Sequence, residues 1–299
     1  MRAIVRRWAA LLAAAALVAC SPQTAARPQS GTGPALWRLA DADSEVWLLG
    51  TVHVLPADLQ WKSPAITAAF ARADTIWFET PTDADAGARI AAIVARDGVN
   101  PPGVTLSSLL APEDRDALRR VAGALDVPMA GLERVRPWLA ALQLSLALMA
   151  RQGRAAESGV EHVLEADAAA AGKARAYFET AEEQMAIFST LSPAAQAQFL
   201  RATLRQIEEE ARAPSSMETL WATGDVAGLT RVAQAQIDET GPETAEALVY
   251  ARNARWAARI DAIMAGEGRA FVAVGAAHLV GPKGLPALLR AQGYVVEGP

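Results

Sequence analysis

Residues 45–53 read Glu45-Val46-Trp47-Leu48-Leu49-Gly50-Thr51-Val52-His53, and their reading decides the fold. An apolar, β-prone run stops at a glycine, and a histidine follows three positions on. Runs of this kind, bounded by a turn residue, read as strands. The same grammar returns three times. Thr75-Ile76-Trp77-Phe78 runs into Glu79-Thr80-Pro81, and Ala174-Arg175-Ala176-Tyr177-Phe178 runs into Glu179-Thr180. Arg269 to Val274 runs into Gly275-Ala276-Ala277-His278. Four strands are therefore expected at 45–49, 75–78, 174–178 and 270–274, each followed by a turn and a helix. Strand–helix alternation favours a largely parallel sheet.

Outward from these strands the pattern is mostly helical. Upstream, Ala35 to Leu39 and a turn at Asp41 to Ser44 make a hairpin with the 45–49 strand. Ser63-Pro64 opens a helix as N-cap and first helical residue. Apolar residues at helical spacing predict helices over 112–125, 137–149 and 159–171, the second apolar all round and hence buried. Thr180-Ala181-Glu182-Glu183 fits a capping box. Residues 182–265 read as helix broken at 192–193, 214, 224 and 241–242. A short helix over 282–292 and a strand at 294–296 close the chain. The expected class is α/β: one domain over 34–299 on a central, mostly parallel or mixed sheet, with helical insertions at about 82–172 and 181–266.

The chain holds three histidines, and each lies three residues after a glycine: His53, His162 and His278. His53 and His278 follow strands directly; His162 opens a helix after a polar loop and reads as a surface or capping residue. In open parallel sheets, ligand sites gather beyond the carboxyl ends of the strands, which draws His53, Glu79, Glu179 and His278 towards one crevice. Two imidazoles with one or two carboxylates suit a divalent transition metal, which activates water and polarises a carbonyl where one position stays open. The same groups also serve as hydrogen-bonded turn residues, caps and ion-pair partners.

The amino terminus has its own logic. Arg2, Arg6 and Arg7 precede an apolar run, Leu11 to Val18, shorter than the roughly 20 residues a bilayer span needs. Leu17-Val18-Ala19-Cys20 resembles the box that lipoprotein processing recognises, and Cys20 is the only cysteine. A lone cysteine in an exported chain calls for an explanation, and acylation of Cys20 supplies one. The expectation is a signal peptide over 1–19, a lipid-anchored flexible linker over 20–33 and a periplasm-facing lipoprotein of the cell envelope. By resemblance to sorting rules, Ser21 favours the outer membrane.

The formal net charge is −5, scattered rather than blocked. There is no basic cluster, which speaks against a nucleic-acid partner. Neither GxxxxGK[ST] nor GxGxxG occurs, so no phosphate-cradling loop is expected.

Trp47 to His53, Phe78 to Thr80 and Val274 to Leu285 together resemble the TraB/GumN (TraB/PrgY/GumN) family. Arg136-Pro137-Trp138, Gly159-Val160-Glu161, Phe178-Glu179-Thr180 with Glu183-Gln184, and Arg252-Asn253 with Trp256 also match its motifs. Glu161 stands where that family usually has Asp. The family is similar to the Tiki metalloproteases. That resemblance implies a peptidase-like, metal-dependent hydrolase, with His53 and His278 as ligands of Mn or Co. It implies Glu79 as ligand or catalytic base, Glu179 as a second carboxylate, and Arg252 and Asn253 holding substrate or orienting a ligand. The alternatives are a non-catalytic lipoprotein that binds a peptide or other ligand, and haem binding through the same histidines, as in more distant kin of similar fold.

Overall fold

The computed structural model describes residues 33–56, 58–153, 158–212 and 217–299. Cys20 and the expected signal and anchor segment lie outside these described residues.

Six strands form one mixed sheet: β1 Leu36–Ala40, β2 Ser44–Thr51, β3 Thr75–Phe78, β4 Ala174–Tyr177, β5 Gly268–Gly275 and β6 Val296–Glu297. Their order across the sheet is β4-β3-β5-β2-β1-β6. The pairs β4/β3, β3/β5 and β5/β2 are parallel. The β1–β2 hairpin adds an antiparallel strand, and β6 pairs antiparallel with β1. The four strands expected from sequence are the parallel half, and β2 is buried along all eight of its residues. That matches the near-continuous apolar composition of strands covered on both faces.

Helices cover both faces. Trp47, Leu49, Ile76, Phe78 and Phe271 pack with helices Pro64–Arg72, Val160–Ala170 and Val226–Glu239. Leu39, Leu48, Trp77, Val272 and Val274 pack with Ala251–Met264 and Leu285–Ala291. A third apolar cluster has no strand in it. It joins helices Ala84–Asp97, Pro112–Ala124, Pro137–Arg151 and Pro193–Arg212 around Leu118, Trp138, Leu144 and Leu200. The insertions thus carry a core of their own.

Two sequence expectations are adjusted. The helix over 137–151 is buried only in its first half, because its far end leaves the cluster: Trp138 is fully covered but Leu146 is 62% exposed. Helix Ala84–Asp97 falls inside the helical insertion expected at about 82–172, where no separate helix is delimited; Asp83 caps it by accepting from the Ala86 N–H. Among the described residues no helix is long and apolar enough to cross a membrane.

Candidate functional site at the strand ends

The parallel register sets four strand ends side by side. Thr51 of β2 lies opposite Gly275 of β5, and Phe78 of β3 lies opposite Ala273 of β5 and Tyr177 of β4. The backbone beyond β3 and β4 continues the pairing for two residues, with Glu179 N–H donating to the Glu79 carbonyl at 2.9 Å. Along the edge, Glu179, Glu79, His278 and His53 therefore leave neighbouring strands in that order.

Two glycines permit the crowding. A Cβ on Gly50 would stand 3.0 Å from Ala276 Cα, and one on Gly275 would stand 3.1 Å from Glu79 Oε1. The Gly275 N–H donates to that same Oε1 at 2.7 Å.

The centre of the site is Arg252, from the helix Ala251–Met264. Its Nη2 donates to Glu79 Oε2 at 2.7 Å, its Nε reaches both Glu179 oxygens at 3.0 Å, and its Nη1 lies 3.2 Å from His278 Nε2. Arg252, Glu79, Glu179 and His278 are all buried. The fork geometry of a guanidinium matches two carboxylates at once. Arg255 adds a bond to Glu179 at 3.0 Å from the solvent side, and Gln184 reaches Glu79 Oε2 at 3.4 Å. Trp256 lies beneath, its ring 4.5 Å from both the Arg252 guanidinium and the His278 ring, and stacked 5.2 Å from Phe178.

Asn253, fully buried, fixes His278. Its Oδ1 is 2.6 Å from His278 Nδ1, and its Nδ2 donates to the carbonyls of His278 and Lys283. An amide oxygen accepts only, so Nδ1 carries the proton and Nε2 presents a lone pair to the Arg252 N–H. Burial and the Arg252 charge hold the His278 pKa at about 4 against the pull of Glu79, so the ring is neutral near neutrality. Burial opposes ionisation of Glu79, but the charges of His278, Arg252 and His53 and the Gly275 N–H outweigh it and bring its pKa to about 2.

A short π-helix, Glu246–Tyr250, feeds this helix. Such turns leave a carbonyl without its usual helical partner and recur at functional sites. Here the Leu248 carbonyl accepts from Arg252 Nη1 at 3.1 Å.

His53 stands apart from the buried network. Its side chain is 69% exposed, and its Nδ1 lies 2.7 Å from Glu161 Oε1. The same oxygen accepts from Thr51 Oγ1 at 2.5 Å, while Glu161 Oε2 is buried with no hydrogen-bond partner. Glu161 sits in the first turn of helix Val160–Ala170, where the helix N-terminus favours a carboxylate. The Val160 N–H donates to the Val52 carbonyl at 3.0 Å, tying that helix start to the His53 loop. The Glu161 carboxylate raises the His53 pKa to about 9, with burial acting the other way, and water reaching the exposed ring screens part of that attraction.

Sequence reasoning left Glu161 without a role; the structure puts it on His53. Thr51, its other partner, was not singled out either. The signal for Glu161 in the sequence is its place in Gly159-Val160-Glu161, where the family that the chain resembles usually has Asp; its contact with His53 spans more than a hundred residues of chain. His162 is exposed, in the first turn of helix Val160–Ala170. Glu79, not Glu179, is the carboxylate near an imidazole, with Oε1 3.8 Å from His278 Nε2. Glu179 bonds to Arg252 and Arg255 instead. Among the described residues, no three His, Cys, Asp or Glu side chains are grouped closely enough to hold a metal ion.

A mixed α/β domain with imidazoles and carboxylates collected beyond the ends of its parallel strands defines a class of strand-end site proteins. Within that class the chain belongs to the TraB/PrgY/gumN family, whose profile matches residues 35–298. No curated protein and no solved structure gives a significant match.

Proposed function

We propose that the chain is a peptidase-like hydrolase of the cell envelope in which His53 moves the proton. The observation that supports this is the His53–Glu161 pair: an exposed imidazole oriented at Nδ1 by a carboxylate, with no hydrogen-bond partner at Nε2 among the described residues. Base and orienter within hydrogen-bond reach are the recognisable parts of acid–base catalysis. In its neutral form, which becomes populated as pH rises towards the His53 pKa of about 9, Nε2 takes a proton from water as the water oxygen bonds to the carbonyl carbon. The C–N bond then breaks, and the Nε2 proton passes to the leaving nitrogen. Glu161 holds the ring and Thr51 holds Glu161; Arg252 and Asn253 hold the buried side of the crevice and touch no substrate atom.

The donors expected to take Mn or Co do not fit a divalent ion as they stand. His278 Nε2 faces a guanidinium, and both Glu79 oxygens already accept from N–H groups. An ion would have to displace Arg252 from His278 and Glu79.

One observation favours a non-catalytic ligand-binding lipoprotein instead. Arg252, Glu79, Glu179, Asn253 and His278 satisfy one another, as a structural lock does. Peptide-library cleavage by the intact chain, with and without chelator, separates these readings. Cleavage that survives chelator and is lost in His53→Ala supports the proposal, and cleavage retained in His53→Ala sinks it. One-to-one Mn, Co or Zn binding by calorimetry, lost in His53→Ala, would install the metal-dependent reading. Intact ligand recovered after long incubation with metal present would leave the binding protein.

A further inference from the structure

Beside the ion network the helices leave a cavity of about 170 Å³. It lies between Pro193–Arg212, Val226–Glu239 and the Pro242–Tyr250 segment, and its wall is completed by Ala276 and Ala277. Met217, Leu229, Ile237, Leu248 and Val249 make the lining apolar, and Gln206, Gln236 and Thr240 add polar groups. The cavity is joined to the site by the chain itself. Ala276 and Ala277 belong to the turn that carries His278, and Leu248 is the residue whose carbonyl accepts from Arg252.

We propose that this cavity is a subsite for one apolar side chain of a peptide ligand, of leucine, methionine or phenylalanine size. Three observations carry the assignment. First, an apolar protein cavity of about 150 Å³ holds a benzene molecule, so this one takes a single large side chain and not a whole peptide. Second, the lining mixes apolar walls with side-chain amides, the combination that buries a hydrophobic group while bonding the peptide backbone next to it. Third, two backbone segments serve both places: Ala276 and Ala277 of the wall belong to the turn that carries His278, and the Leu248 carbonyl bonds Arg252. The peptide identity of the ligand rests on the function proposed above; the apolar character of the subsite does not.

The test is an NMR titration of the intact chain with N-acetyl-leucinamide, N-acetyl-phenylalaninamide and N-acetyl-glycinamide. The leucine and phenylalanine compounds are expected to give saturable shifts at Met217, Leu229 and Ile237, and the glycine compound none. Ile237→Trp, which fills the cavity, is expected to weaken binding at least about tenfold. Ile237→Ala, which enlarges it, is expected to shift preference towards the phenylalanine compound. Thermal unfolding of both variants checks that they remain folded, and the enlarged variant keeps the test open if the filled one does not fold. His53→Ala is expected to bind as the wild type does, so loss of hydrolysis and loss of the subsite are read separately. An equal response to the glycine compound, or binding unchanged in both Ile237 variants, overturns the assignment. Shifts produced by octanoate but by none of the amides overturn it in favour of a fatty-acyl ligand.

Discussion

Two histidines occupy equivalent positions after neighbouring strands, yet their surroundings drive them in opposite directions. His278 is buried, held by Asn253 and faced by a guanidinium, and stays neutral. His53 is exposed and leans on a carboxylate, which favours its charged form. The ring resonances of His53 are therefore expected to titrate above 6.5, and Glu161→Gln is expected to return them towards that value. A His53 titration unmoved by Glu161→Gln would show that the pair does not form in solution. Arg252 yields a second expectation. Removing it strands two buried carboxylates, and breaking a buried ion pair from one side costs about 3–5 kcal/mol. Arg252→Met should lose about that much stability in urea unfolding, while Arg255→Met, at the exposed edge of Glu179, should lose less than about 1 kcal/mol. At this scale the sequence was half legible. Residue type and strand-end position pointed to His53, Glu79, Glu179 and His278. What each side chain touches depends on helices far away in the chain, so neither Glu161's contact with His53 nor Arg252's central place could be read from spacing.

The elements were more legible than the contacts. Glycine or Glu-Thr after a short β-prone run marked the ends of β2, β3, β4 and β5; in β2, β3 and β5 the run is largely apolar because the strand is covered on both faces, while edge strand β4 is half-exposed. The capping box at Thr180 is present in both directions, Thr180 accepting from Glu183 N–H and Glu183 accepting from Thr180 N–H. It starts the helix that carries Gln184 towards Glu79. Thr180→Ala should cost about 1 kcal/mol in chemical denaturation. An unchanged midpoint would mean that packing of Ala181 and Met185 alone holds the helix start. The expected burial of the helix over 137–149 exceeds what the structure shows, Leu146 being exposed, for one reason. Periodicity reports how apolar a face is, whereas the insertions' own core decides which part of that face is covered.

For the whole molecule, the strand-end charges make stability depend on pH from both sides. The folded state holds the His53 pKa at about 9 against 6.5, so that contribution is full below 6.5 and lost as pH rises through about 9. His278 is held at about 4, so its contribution is full above 6.5 and lost as pH falls through about 4. Glu79, held at about 2 against 4.5, adds a further loss in stronger acid. Urea stability of the metal-free intact chain should therefore crest near pH 6.5, with the alkaline limb the shallower because His53 is exposed. Glu161→Gln should flatten the alkaline limb and also take away the part of the acid limb that comes from Glu161, whose carboxyl, in spite of burial, is held below its usual range by His53 and Thr51. A curve that keeps both limbs in that variant would assign the alkaline loss to other groups.

The π-turn at Glu246–Tyr250 has a genetic corollary. It amounts to one residue more than a regular helix requires, inserted just ahead of Arg252 and Asn253. Each residue of an α-helix turns the chain by about 100°. Removing a single codon from this stretch would let the helix run on unbroken while swinging the guanidinium and the amide away from the crevice. The scaffold and its site can thus part company in one in-frame deletion, leaving a descendant that keeps the architecture and has lost the chemistry.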